Sequence, residues 1–304
     1  MKKNELTVLQ AFEMFYTDRI MKGLATASLI DYKNSWGHFK LNSGIKDDDP
    51  ISIISKYVWQ DYVLGMKQSN LKVNSINHYI RAVRAFLNYC FSENLISKFK
   101  ISIIKGQEEN IKFYTETEID KLLKINKKSA SFVEYRSYAI ICFILATGAR
   151  ANTVCNIKTE DIDFSSGTVY LTTLKNKKVQ SIPLSVSLSR VLQEYIRVWD
   201  FSSEFLFPNV SDSQLTKEAL RLSLEDYFTA HGVKYHGVHG LRHTFARQYI
   251  LNGGNAFQLQ RLLGHSTLEM TKKYVRLFAE DMKKDFEEFS PLDNLIRKDR
   301  IKRK

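Results

Sequence analysis

The chain has few of the residues that break or staple a fold: its 304 residues include 4 prolines, 13 glycines and 3 cysteines. So little Pro and Gly excludes a collagen-like or low-complexity chain, and a 44% hydrophobic share is enough for ordinary cores. Cys90, Cys142 and Cys155 are odd in number and none forms a C-x-x-C pair. A zinc ribbon is excluded, and a secreted disulfide framework is not expected. Long apolar runs are missing too. The longest, between Arg136 and Arg150, holds 13 residues, short of the ~20 that cross a bilayer. Behind Met1-Lys2-Lys3-Asn4-Glu5 there is no apolar h-region, so no signal peptide is read. A soluble, cytoplasmic protein with no membrane partner is expected. The phosphate loop G-x-x-x-x-G-K-[ST], the dinucleotide fingerprint G-x-G-x-x-G and the hydrolase elbow G-x-S-x-G are all absent.

What the sequence has in excess is positive charge. Lys and Arg number 45 against 33 Asp and Glu, a net +12. The surplus lies in both parts of the chain, 15 basic against 10 acidic residues over 1–108 and 30 against 23 over 109–304. A single sticky tail does not explain it, and a polyanionic partner does. At 304 residues, about two domains are expected.

The first hundred residues read as helix after helix. Residues 6–22 place Leu9, Phe12, Met14, Phe15 and Tyr16 in an amphipathic pattern. A second helix follows Thr26 through Leu29, Tyr32, Trp36 and Phe39. After Pro50, a third is expected over 52–67, with Ile53, Ile54, Val58, Trp59 and Tyr62. In the fourth, Ile76, Ile80, Val83, Leu87 and Cys90 recur at steps of four, three, four and three, which is one buried stripe. Its other faces carry Lys72, Asn74, Asn77, His78, Arg81 and Arg84. Residues 98–111 lack a helical stripe and read as a linker. Thr115 and Glu118 then form a capping box before Ile119, Leu122 and Leu123, and 137–147 reads as a buried helix. The period changes over 161–164, 168–174 and 179–183, short β-rich runs separated by turn residues, so a three-stranded antiparallel sheet is expected. Helices resume from Ser185, broken at Phe207-Pro208-Asn209, His236-Gly237 and Asn252-Gly253-Gly254.

His239 and His243 stand four apart on a predicted helix, with His236 just before, a spacing able to bind zinc. The metalloprotease pattern needs a Glu after the first His, and Gly240 stands there. A zinc hydrolase is therefore the weaker reading. The stronger one begins at Thr147-Gly148-Ala149-Arg150, where an apolar helix ends in Gly and presents an Arg. His239-Gly240-Leu241-Arg242-His243 puts a His and an Arg three apart. Leu262-Leu263-Gly264-His265 follows, and nine residues after that His comes Tyr274. Two arginines can fork onto phosphate oxygens, a tyrosine can attack, and histidines can hold or move protons. Those are the parts of a metal-free phosphodiester transfer.

Together these motifs resemble the tyrosine recombinase family of phage integrases and Xer recombinases, over about residues 110–290. The resemblance implies a mainly α fold: an N-terminal four-helix, SAM-like core-DNA-binding domain at 1–97, a linker at 98–111, a mostly helical catalytic domain with a small antiparallel three-stranded sheet at 112–290, and a basic tail at 291–304. It implies a site-specific recombinase, for a mobile element or Xer-like resolution, acting through a 3′-phosphotyrosine. Tyr274 is then the nucleophile. Arg150 and Arg242, aided by His265, offset the phosphorane charge, and His239 accepts the tyrosine proton. A hairpin lysine protonates the leaving 5′-oxygen; the interval to Pro183 favours Lys175 over Lys177 and Lys178. Lys72, Asn77, Arg81 and Arg84 are expected on DNA. Duplex DNA with inverted-repeat core sites and a homotetramer on two such sites are the implied partners, with no metal and no other cofactor. A tail helix over 278–289 is expected to dock on a neighbouring protomer or to cover its own core. One departure is Thr153, where the family often carries an acid; Asp161, or nothing, takes that role. A type IB topoisomerase-like relaxing enzyme and a catalytically inactive DNA-binding accessory protein share much of this pattern and stay open.

Overall fold

The computed structural model describes residues 5–105, 111–173, 178–199 and 202–265, with Thr267, Thr271 and Tyr274. The chain divides into two compact units, Met1–Glu109 and Asn110–Lys304.

In the first unit, helices α1 (Val8–Met21), α2 (Thr26–Ser43), α3 (Lys56–Gln68) and α4 (Val73–Ser92) surround an aromatic-rich core. Thr7 starts α1 with a capping box closed by Gln10, worth about 1 kcal/mol. The stripe that α1 buries is Val8, Ala11, Phe12 and Phe15. That is the i, i+3, i+4, i+7 set, so Leu9 and Met14, expected inside, stand 40% and 42% exposed on its flanks. The third helix also differs from expectation. A 3-10 turn at Ile51–Ile53 ends in extended backbone at Ile54, and Ser55 opens α3 by accepting from the Val58 N–H. Ile51 and Ile54 are both buried and pin this break to the core.

On α4 all five stripe residues are at most 2% exposed, each aliphatic one contributing about 1.5–3 kcal/mol of burial before entropy. Lys72 and Arg81 are exposed and Arg84 is half-buried. Asn77 is a correction: it is 5% exposed and not on the solvent face. Its Nδ2 donates to the Ile104 carbonyl and its Oδ1 accepts from the Ile104 N–H, both at 2.9 Å. Phe99, Ile101 and Ile104 pack against the same core, so the first unit runs past residue 97, its expected end.

The second unit begins with α5 (Glu116–Leu122), where Thr115 and Glu118 form the expected capping box. Helix α6 (Phe132–Thr147) is capped by Ser131 and buried nearly all round. Against it pack α8 (Val186–Trp199), α9 (Lys217–Ala230) and α10 (Gly237–Leu251). Between α6 and α8 lie a short α7 (Ala151–Asn156) and strands β1 (Ile162–Asp163), β2 (Thr168–Thr173) and β3 (Lys178–Pro183). The strands pair antiparallel in the order β1-β2-β3, with Val169 opposite both Ile162 and Ile182. All three of these side chains are buried, which sets the register. Helix α11 (Ala256–Leu263) follows, capped by Asn255. The fold is mainly helical with one small antiparallel sheet, as the sequence leads one to expect. No helix among the described residues is long and apolar enough to cross a membrane.

Candidate active site

Two glycine turns frame the site. Gly148 ends α6 in the left-handed region, at φ +65°. A Cβ there would fall 2.6 Å from the Phe245 ring and 2.8 Å from Leu263, so space and backbone both require glycine. The Thr147 hydroxyl accepts from the Ala149 N–H at 3.2 Å, and the chain turns so that Arg150 caps α7. Gly264 ends α11 in the same way, at φ +59°.

One buried guanidinium ties these turns together. Arg242, on α10, is 5% exposed. It donates to the Gly148 carbonyl at 2.5 Å, to the Leu263 carbonyl at 2.7 Å and to His265 Nε2 at 3.1 Å. Arg150 reaches the Gly264 carbonyl at 3.4 Å. Burial, and then the like charge of Arg150, hold Arg242 down to about 10. Among the described residues neither arginine has an acidic partner. Two guanidiniums of like charge, with no carboxylate partner among the described residues, leave room for an anion between them.

Three histidines and the tyrosine surround that charge. Because His265 Nε2 accepts from Arg242, its Nδ1 carries the hydrogen and donates to the Thr271 hydroxyl at 2.9 Å. Burial, then Arg242, Arg150 and His243, push His265 down to about 4, so the ring is neutral at pH 7. His239 is lowered by burial and then by Arg242 and Arg150. Tyr274 is 4% exposed, packed with Phe245, Ala246, Leu259 and Leu263. Burial raises its phenol while the two arginines pull the other way. Its hydroxyl lies 2.8 Å from Nδ1 of His243.

The structure thus brings Arg150, His239, Arg242, His265 and Tyr274 into one unit and one electrostatic neighbourhood. Lys175, the expected tail helix at 278–289 and the basic tail at 291–304 lie outside the described residues. Lys72, Arg81 and Arg84 belong to the first unit. The ring that meets the Tyr274 hydroxyl is that of His243, where the sequence leads one to expect His239. The i, i+4 spacing of the two histidines gives them one face of α10, and spacing alone does not choose between them. Gln180 on β3 was also missed. It donates to the carbonyls of Arg261 and Leu262, holding the hairpin strand to the end of α11, and no local signal in the sequence marks it.

His236 stacks on Tyr114 at 5.4 Å, and the His236 backbone N–H donates to the Tyr114 hydroxyl at 2.7 Å. Gly240 fits beneath that tyrosine, where a Cβ would lie 3.1 Å from the ring. Among the described residues no three His, Cys, Asp or Glu side chains form a group able to hold a metal ion. Burial pushes Cys90 up to about 12 and Cys142 and Cys155 to about 11, leaving no reactive thiolate at neutral pH. Asp161 accepts from the Lys158 N–H at 2.8 Å and caps a 3-10 turn, so its carboxylate is committed there.

Comparison with known proteins agrees with this geometry. The model of the phage integrase family matches residues 112–281. A tyrosine recombinase of Pseudothermotoga lettingae is 27% identical, covering 83% of this chain and 86% of its own length. Tyrosine recombinase XerA of Pyrococcus furiosus is 29% identical, covering 77% of this chain and 81% of its own. Among solved structures, the Tn1549 transposon integrase in complex with transposon right end DNA is similar with a TM-score of 0.74 at 18% identity, covering 91% of this chain and 100% of that one. A lambda integrase tetramer bound to a Holliday junction gives 0.71 at 18% identity, covering 90% and 78%. At these identities the structural likeness speaks for the fold.

Proposed function

The chain belongs to the phage integrase family of tyrosine recombinases, and from that premise we propose that it is a site-specific recombinase that cleaves and rejoins duplex DNA through a 3′-phosphotyrosine at Tyr274. The observation that carries this reading is a buried phenol in the field of two guanidiniums that have no acidic partner among the described residues. A phosphodiester between Arg150 and Arg242 supplies the missing anion. As the Tyr274 oxygen bonds to phosphorus, charge builds on the non-bridging oxygens. Arg242 cannot swing away from its two carbonyls, so its charge is in place before the reaction. The P–O5′ bond breaks, and Lys175 gives the leaving oxygen its proton.

The covalent link conserves the energy of the broken bond, so rejoining to a new 5′-hydroxyl needs neither ATP nor a metal. Exchange of strands between two duplexes uses four such sites. A homotetramer on two inverted-repeat core sites follows, and the lambda integrase tetramer on a Holliday junction supports it. Lys72, Arg81 and Arg84 contact DNA phosphates from the first unit. The task is integration or excision of a mobile element, or resolution of the Xer type; relatives of both kinds support it.

A nicked suicide duplex carrying the core site tests the reading. Wild type should accumulate a covalent protein–DNA adduct, and Tyr274→Phe should bind the same duplex and form none. An adduct with the Phe variant would sink the nucleophile assignment. Equal adduct formation on duplexes of any sequence would turn the reading towards a relaxing topoisomerase.

A further inference from the structure

We propose that His243 is the base that takes the proton of the Tyr274 hydroxyl, and that His239 serves the phosphate instead; this rests on Tyr274 being the nucleophile. The reacting oxygen and His243 Nδ1 are 2.8 Å apart, within direct transfer distance. The rings lie 5.7 Å apart at 48°, which keeps the imidazole edge on the phenol oxygen.

The two rival rings have other surroundings. His265 has Arg242 on one nitrogen and the Thr271 hydroxyl on the other. It stands 6.5 Å from the Tyr274 ring and nearly parallel to it, so it faces the phenol without bonding its oxygen. His239 lies in the field of Arg242 and Arg150, which opposes its taking a proton. Its ring centre is 6.4 Å from that of His243, one turn away on α10. Beside the two arginines it can donate a hydrogen bond to a non-bridging oxygen of a phosphate held there. Burial also raises the phenol, so its proton needs a local acceptor.

His243 in its Nε2–H tautomer accepts the Oη proton at Nδ1 as Oη bonds to phosphorus. The electron pair of the broken P–O5′ bond leaves on O5′, which takes a proton from Lys175. On rejoining, the imidazolium of His243 returns the proton to Oη, and the 5′-hydroxyl gives its own back to the lysine. One helix therefore carries both the charge stabiliser Arg242 and the base.

Single-turnover cleavage of the suicide duplex, with protein in excess, tests this. His243→Ala and His243→Asn should bind DNA as wild type does and cleave ~10²–10⁴-fold more slowly. Asn keeps a hydrogen-bonding group where Nδ1 stood but cannot take a proton, so a loss with Asn identifies proton transfer and not anchoring. Replacing Tyr274 by 3,5-difluorotyrosine, whose phenol ionises far more readily, should restore most of the His243→Ala loss and little of the His239→Ala loss. A His243→Asn variant at wild-type rate, or rescue of His239→Ala but not of His243→Ala, overturns the assignment while leaving Tyr274 as nucleophile. Absence of any adduct with wild type would remove the nucleophile reading itself, and this one with it.

Discussion

Helices α4 and α10 both carry basic side chains, and they carry them in opposite ways. On α4, Lys72 and Arg81 stand in solvent around an aliphatic stripe that is at most 2% exposed. On α10, Arg242 is 5% exposed and bonds to two backbone carbonyls and a histidine. Solvated charge acts on DNA through counterion release, is screened by salt, and is shared among many residues. A buried charge costs several kcal/mol unless it is bonded, and no neighbour can replace it. On the proposed function, α4 would serve affinity and α10 chemistry.

The sharpest break in that division comes from the hairpin. Lys175→Ala should slow cleavage ~10²–10⁴-fold, because an alkoxide leaves poorly without a proton. A substrate with sulfur in place of the bridging 5′-oxygen should restore the rate, since a thiolate leaves unaided. Rescue of Lys177→Ala in its place would shift the hairpin alignment by two residues. Arg242→Lys should lose ~10²–10³-fold and gain nothing from sulfur, because an ammonium cannot span both glycine turns and still meet the phosphate.

Two residues on α4 sharpen the comparison at smaller scale. Arg81→Ala should weaken DNA binding and lower the slope of log affinity against log salt by about 1, with little change in melting temperature. Asn77→Ala should leave that slope alone and cost about 1–3 kcal/mol of stability, because the Ile104 N–H and carbonyl lose their partner. If Asn77→Ala changed the salt slope instead, it would return Asn77 to the DNA face.

The smallest effect concerns pH. His265 is held at about 4, below its ordinary 6.5. The unfolded chain therefore takes up the proton first, and this ring's contribution to stability is complete above pH 6.5 and drains away as pH falls towards 4. NMR titration of the free protein should find the ring neutral at pH 6, and bound DNA, by setting an anion between the arginines, should raise the midpoint. A midpoint near 6.5 in the free protein would mean that burial and the neighbouring arginines do not hold the ring neutral.

Periodicity made most of the fold legible: the stripe on α4, the Thr115–Glu118 box and the three strands all follow from local rules. The order and spacing of the motifs pick out Arg150, His239, Arg242, His265 and Tyr274, which the fold sets in one electrostatic neighbourhood. What escaped depends on partners far along the chain. Asn77 is polar and borders a stripe, so it reads as solvent-facing until Ile104, 27 residues on, takes both its bonding groups. His243 sits 31 residues before the tyrosine it touches, and Gln180 lies over 80 residues before the carbonyls it holds. Ser55 broke a helix that composition alone would continue, because a serine cap outweighs weak helix propensity at that position.

Peptide mapping of the trapped adduct tests most directly whether this buried phenol attacks DNA. Digestion of the wild-type complex from a nicked duplex, followed by mass spectrometry, should find the nucleotide on Tyr274 alone, linked through a 3′-phosphate. A nucleotide on any other side chain, or a 5′-phosphate linkage, would contradict the account.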